Sequence, residues 1–96
     1  MNLFEWLSKW YSSMCVDEWE HFYGIKIETL DNPGWIVTID LLETCYQDKE
    51  FISIDNDYSD DDWIKCYIKE NQFIGVGDPT KLEKIILIFK TWIESQ

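Results

Sequence analysis

Few side chains in this sequence could take part in catalysis. Cys15 precedes the single histidine, His21, and the carboxyl groups of Glu18 and Glu20 lie close to that histidine in the chain. A thiol beside an imidazole can act as a nucleophile, and a carboxyl beside an imidazole can transfer protons. Both mechanisms also need an orienting group and a site for developing negative charge, and the sequence has no Gly-x-Ser-x-Gly turn or phosphate-binding glycine loop. We therefore expect no catalytic residues and no enzyme activity.

A zinc site would need ligands that are widely dispersed along the chain. The available side chains are Cys15, His21, Cys45 and Cys66. Structural zinc sites usually pair their ligands at short spacing, and no Cys-x-x-Cys pair occurs here. Cys66 lies two residues from Ile64 and two from Ile68, so the three share one face of the predicted strand. We therefore expect Cys66 to be a small buried hydrophobic side chain. We expect no metal and no cofactor.

Residues 55–62 form the most acidic stretch of the chain. Its five aspartates are Asp55, Asp57, Asp60, Asp61 and Asp62. The stretch begins like a calcium-binding loop, but Asp60 stands where that loop needs glycine and Cys66 where it needs a bidentate glutamate. Three interpretations stay open: a solvated acidic loop, an acidic contact surface for a basic partner, and a calcium site.

A second acidic segment places a tryptophan among carboxylates. Its residues are Asp17, Glu18, Trp19 and Glu20. If Trp19 is exposed, the composition is that of an interface anchor with charged surroundings. If Trp19 is buried, its ring closes one end of the hydrophobic core.

The net charge restricts the possible partners. The chain has 19 acidic and 8 basic residues, which gives a net charge of −11. Such a molecule repels phosphate backbones and anionic membranes, so we expect neither nucleic acid nor a membrane as partner. Its field attracts a basic protein surface or a cation.

The cysteines and the N-terminus indicate the compartment. Three cysteines, an odd number, do not fit a disulfide-stapled secreted domain. The first residues interleave apolar side chains with charged and polar ones, unlike a signal peptide. No apolar run is long enough to span a membrane. We therefore expect a cytoplasmic protein.

The spacing of apolar residues predicts the elements that carry these side chains. In order they are a helix over 2–14, strands over 23–30, 35–41, 51–55, 63–69 and 72–76, and a C-terminal helix. We expect Pro33 and Gly34 to form the first turn, with a positive φ at Gly34, and Asp78 to cap the last helix ahead of Pro79. Leu87 falls on the polar side of that helix. Two interpretations stay open for it: an isolated exposed apolar residue, or part of a contact surface.

The order of these elements predicts an α+β fold. Short strands joined by tight turns give an antiparallel sheet of about five strands, and the N-terminal and C-terminal helices are available to pack on one of its faces. No linker or repeat divides the chain, so we expect residues 1–96 to form a single domain.

Several motifs together resemble the family called immunity protein 53. They run from Phe4 to Tyr11, through Trp19-Glu20-His21, Tyr23-Gly24-Ile25, the turn from Thr29 to Trp35 and Ile39-Asp40-Leu41, to Trp63-Ile64, Phe89 and Trp92. The most specific is the Leu-Asp-Asn-Pro-Gly-Trp turn combined with the earlier Trp-Glu-His. The resemblance implies a bacterial immunity protein of a polymorphic toxin system, which binds the matching toxin domain in the producing cell. It brings no catalytic or binding residues with it.

The leading hypothesis is therefore inhibition by occlusion, with no catalysis. The expected partner-binding residues are Asp17, Glu18, Trp19, Glu20, Asp55, Asp57, Asp60, Asp61 and Asp62. The charge favours a basic toxin, of which a nuclease is one example. The alternatives are a small acidic domain that binds a cation or ligand, and a homo-oligomeric structural protein.

Overall fold

The computed structural model describes residues 2–95, which form two helices and five strands. The elements are α1 (Leu3–Met14), a short 3-10 turn (Trp19–His21), β1 (Ile25–Leu30), β2 (Gly34–Asp40), β3 (Ile54–Ser59), β4 (Asp62–Lys69), β5 (Gln72–Gly77) and α2 (Leu82–Glu94). The strands form one sheet in the order β1-β2-β5-β4-β3, and every neighbouring pair is antiparallel. The predicted α+β fold, with a five-stranded antiparallel sheet and a helix at each end of the chain, is confirmed.

Both helices cover the same face of the sheet. Strand alternation sends Cys66 and Phe73 toward the helices, and both are fully buried. Phe89 of α2 lies between the layers, with its ring centroid 5.0 Å from that of Phe73 and 5.0 Å from that of Trp10 on α1. The aromatic faces of the two helices therefore build the core. The opposite face of the sheet, called the open face below, carries no helix in residues 2–95.

The turn between β1 and β2 differs from its prediction. The Asn32–Pro33 peptide bond is cis, and no glycine within residues 2–95 has a positive φ, so the expected φ at Gly34 is wrong. Gly34 is instead required by close packing, because a Cβ at this position would collide with the carbonyl oxygen of Gly77. Its small size lets the start of β2 approach the end of β5.

The third strand lies further along the chain than predicted. A strand was expected over 51–55, but Phe51 packs its ring against Phe73 and Trp92, at centroid distances of 5.6 and 5.5 Å. The chain then turns into β3, which contains Asp55 and Asp57. The interpretation of residues 55–62 as a loop is therefore wrong, since they form part of a hairpin. We call β3, β4 and the turn between them, residues 54–69, the acidic hairpin.

The start of α2 also differs from its prediction. The helix begins at Leu82 with Lys81 at the N-cap, so the expected cap at Asp78 is wrong. The fully buried Asp78 carboxylate instead accepts hydrogen bonds from the backbone N–H of Trp63 (2.9 Å), the N–H of Thr80 (2.8 Å) and the Lys81 ammonium (2.8 Å). Burial opposes ionisation of this carboxyl, but the donors outweigh burial and hold its pKa well below the usual value. Asp78 thus ties the acidic hairpin to the entry of α2.

Candidate protein-binding surface

The acidic hairpin forms one margin of the sheet. β3 is the last strand in the sheet order, so one side of its backbone has no neighbouring strand within residues 2–95. Asp55 lies opposite Lys65, and Asp57 lies opposite Trp63. The buried Ile64 lies between Trp63 and Lys65 and points toward the helices. Because successive side chains of a strand point to opposite faces, Trp63, Lys65 and the aspartates paired with them lie on the open face. The sheet therefore presents exposed carboxylates at a strand edge.

Trp63 lies next to carboxylates on this surface. Its half-buried ring lines a cleft of about 500 Å³ together with Asn32, Asp57, Ser59 and Asp60. An aromatic face rimmed by carboxylates can receive a guanidinium or ammonium group, since the ring attracts the cation and the carboxylates pair with it. Trp63 was not among the expected binding residues, although its position directly after the acidic run and before the inward-facing Ile64 was a usable signal.

Asp62 differs from the other four aspartates of the run. Its carboxylate accepts a 2.8 Å hydrogen bond from the ammonium of Lys81, which also contacts Asp78. Hydrogen bonds to both carboxylates raise the pKa of Lys81, and the bond to Asp62 contributes more than the bond to Asp78. In the described part of the chain no cation lies within ion-pair distance of the other four, which are Asp55, Asp57, Asp60 and Asp61. Asp62 therefore holds the hairpin to Lys81 at the start of α2, and the other four carboxylates are available to a partner.

Trp19 is buried, so its expected role as an exposed anchor is wrong. The side chain is 4% exposed, and its indole N–H donates to the carbonyl oxygen of Leu42 at 3.0 Å. The ring packs edge-on against Trp10 at a centroid distance of 6.4 Å. Trp19 closes one end of the core, as the alternative interpretation expected. Its neighbours Asp17, Glu18 and Glu20 remain exposed.

The two acidic segments lie at opposite ends of the strands. The hairpin turn, through Asp60, shares a cleft with Asn32 just before the start of β2. Trp19 contacts Leu42 just after the end of β2. β2 has seven residues, and at about 3.3 Å per residue its ends are roughly 20 Å apart. The structure therefore does not bring the nine expected binding residues together into one compact site.

Within residues 2–95, the residues considered for zinc binding do not form a ligand set. No group of three or more histidine, cysteine, aspartate and glutamate side chains within residues 2–95 has the arrangement of a metal site. Cys66 is fully buried, and burial raises the pKa of its thiol to about 12, which confirms the expected small buried hydrophobic side chain. Cys15 donates its thiol to the Tyr11 carbonyl oxygen at 3.2 Å. His21 is exposed, with Nε2 3.6 Å from a Glu20 carboxylate oxygen.

Neither helix described in residues 2–95 has the length and apolar character needed to cross a membrane. α1 has 12 residues and α2 has 13.

Comparison with known proteins identifies the family. The family model described as immunity protein 53 matches residues 4–94. No curated protein and no solved structure matches the chain. An immunity protein has a cognate toxin as its partner and performs no catalysis, which confirms that the chain is not an enzyme. With nearly its whole length matched, the chain belongs to the immunity protein 53 family.

Proposed function

We propose that this protein neutralises its cognate toxin domain by stoichiometric binding that covers the toxin's active or substrate-binding surface. Family membership supports an immunity role. The observation that carries the occlusion mechanism is the acidic hairpin, where exposed carboxylates surround the half-buried Trp63 on the open face. Truncating an aromatic or charged residue at the centre of such an interface typically costs about 2 kcal/mol or more. We further propose that residues 1–96 act as a single domain in the cytoplasm.

The charge distribution favours a basic toxin surface. The net charge of −11 accelerates the approach of a positively charged partner, because long-range attraction raises the rate of encounter. If the toxin is a nuclease, Asp55, Asp57 and Asp60 can occupy the positions where phosphates would bind. The same field disfavours nucleic acid and anionic membranes as partners of the immunity protein itself.

The two acidic segments have different roles in this proposal. The hairpin aspartates contact the toxin, together with Trp63. Asp17, Glu18 and Glu20 lie at the other end of the strands, away from the Trp63 cleft, and in this proposal they contribute mainly to long-range attraction. The contact surface is therefore smaller than the set of acidic residues.

The test uses the toxin domain encoded by the neighbouring gene, since an immunity gene is expected beside that of its toxin. The hairpin variant carries Asp55→Asn, Asp57→Asn and Asp60→Asn. We expect its association with the toxin at low salt to be about tenfold slower than that of the wild type, with a weaker salt dependence. Stopped-flow measurements over a range of salt concentrations give both quantities.

A control variant removes the same number of charges from the other segment. It carries Asp17→Asn, Glu18→Gln and Glu20→Gln, and we expect a smaller effect on association and little effect on dissociation. Equal losses in the two variants would show that total charge, and not the hairpin, governs binding. Absence of binding by the wild-type protein would contradict the immunity function itself.

A further inference from the structure

An apolar groove runs beside the acidic hairpin, on the helix side of the sheet. α2 packs on the central strands β5 and β2, which leaves the helix layer open next to β3. The groove has a volume of about 460 Å³, and its lining includes Phe51, Ile52, Ile54, Leu87 and Ile88. Ile52 is 90% exposed and Leu87 is 48% exposed. Exposed apolar patches are typical of surfaces that contact another molecule.

The groove continues directly into the unpaired edge of β3. Ile54 is both a lining residue of the groove and the first residue of the strand. From there the side chains alternate, so that Ile54 and Asn56 face the helix side while Asp55 and Asp57 face the open side. The edge thus has an apolar flank, an acidic flank and free backbone groups between them.

This edge is only partly protected against pairing. Natural sheet edges are commonly shielded by charges or by bulges that disturb the strand. β3 has a register irregularity between Asp57 and Ser59, at the end far from the groove. The other end, at Ile54, lies beside the exposed Ile52 and has regular pairing with β4. A strand could therefore add at this end.

We propose that the β3 edge and the groove receive one extended strand of the toxin domain, which adds to the sheet as a sixth strand. This inference rests on the immunity function proposed above. An added strand presents alternate side chains to the two faces of the sheet. Its side chains on one face enter the groove and are apolar, and those on the other face meet Asp55 and Asp57 and are basic. The occupant is an amphipathic strand with alternating Lys or Arg and apolar residues.

A second copy of this chain fits the same edge poorly. Pairing of β3 with β3 would bring Asp55 and Asp57 of the two copies together on the open face. Like charges on paired strands destabilise the pairing. A basic strand removes that repulsion, so charge complementarity selects the toxin as the occupant.

The first test is hydrogen–deuterium exchange on the free protein and on its complex with the toxin domain encoded by the neighbouring gene. In the free protein we expect the amides of residues 54–59 that point away from β4 to exchange quickly, because no strand within residues 2–95 covers them. In the complex we expect these amides to become protected. Fast exchange of the same amides in a stable complex would overturn the added strand and leave the immunity function intact.

The second test changes the groove and leaves every charge in place. The double variant Ile52→Gln and Leu87→Gln alters exposed side chains, so folding is expected to survive and circular dichroism checks this. We expect roughly tenfold weaker binding of the toxin domain by calorimetric titration. The control Phe22→Gln alters a 77% exposed side chain outside the groove and should bind as the wild type does.

The outcomes separate the two proposals. Wild-type affinity in the double variant would exclude the groove from the interface while the immunity function stands. If the wild type sediments as a dimer and the double variant as a monomer, the groove is an interface between two copies of this chain. That result would overturn the inference. A wild-type protein that does not bind the toxin domain would contradict the proposed function and this inference together.

Discussion

The segment Asp17 to Glu20 and the acidic hairpin each place a tryptophan among carboxylates, yet the two tryptophans have opposite environments. Trp19 is 4% exposed and hydrogen-bonded inside the core. Trp63 is half-buried and lines a surface cleft with Asp57 and Asp60. Neighbouring carboxylates therefore do not determine whether a tryptophan is at the surface. The element on which the ring lies, and the side of the core that it faces, determine it.

The backbones of the two regions also differ. Asp17 and Glu18 have positive φ values of 51° and 67°, in the tight turn after α1. The hairpin aspartates Asp55 and Asp57 lie on a strand, where side chains on one face recur at a regular spacing. A strand edge holds its carboxylates in a fixed row, which suits recognition of an ordered partner surface.

The largest effect is expected from the buried tryptophan. Trp19→Ala should lower the free energy of unfolding by about 4 kcal/mol, because it leaves a cavity at the end of the core and an unpaired Leu42 carbonyl. Urea denaturation measures the loss, and calorimetric titration of the folded variant should give nearly wild-type affinity for the toxin. A loss below about 1 kcal/mol would remove the distinction between the two tryptophans.

The next effect concerns the residue that fixes the hairpin in place. Asp78→Asn should lower the free energy of unfolding by about 3 kcal/mol at neutral pH, because the Lys81 ammonium loses its buried carboxylate partner. Asp61→Asn, at an exposed turn position, is the control and should change stability by less than about 0.5 kcal/mol. Equal stability of the two variants would show that Asp78 does not hold the hairpin.

The pH dependence of the Asp78→Asn effect follows from the lowered pKa of the wild-type carboxyl. Because that pKa lies below the unfolded value of about 3.9, the carboxylate stabilises the fold fully above about pH 4. This stabilisation is lost as the pH falls through the folded-state pKa. The stability difference between wild type and variant should therefore shrink on acidification below about pH 4, in urea titrations at a series of pH values. A constant difference would contradict the assignment.

The last prediction concerns Trp63, where we expect the main effect on binding and a smaller effect on stability than at Trp19. Trp63→Ala should weaken binding of the toxin domain about 30-fold, equivalent to about 2 kcal/mol, while destabilising the fold less than Trp19→Ala does. Trp63→Phe keeps an aromatic face and should restore part of the affinity. Calorimetric titration and urea denaturation of each variant separate the two quantities. Unchanged affinity of Trp63→Ala for the toxin domain would show that the cleft is not part of the interface.

Much of the fold was predictable because its signals are periodic and local. The apolar spacing of α1 and the alternation of β1, β2, β4 and β5 located these elements to within one or two residues. β3 was misplaced because its residues are mainly polar, as an edge strand permits, while the apolar Phe51 before it belongs to the core without being in a strand. The family resemblance, carried by the motifs between Phe4 and Trp92, was also readable from the chain and is confirmed.

The candidate site was less predictable because burial is not a local property. The sequence by itself determined the charge, the lack of catalytic motifs, the helix and strand periodicity, and the family, since these depend on residue type and short-range spacing. Only the tertiary structure decided that Trp19 is enclosed, that Trp63 lies beside Asp57, and that Asp78 and Lys81 hold the hairpin. The contacts of Trp19 with Leu42 and of Asp78 with Trp63 join parts of the chain that are distant in sequence. The pairing of Trp63 with Asp57 depends on the register of the hairpin, which residue type alone does not specify.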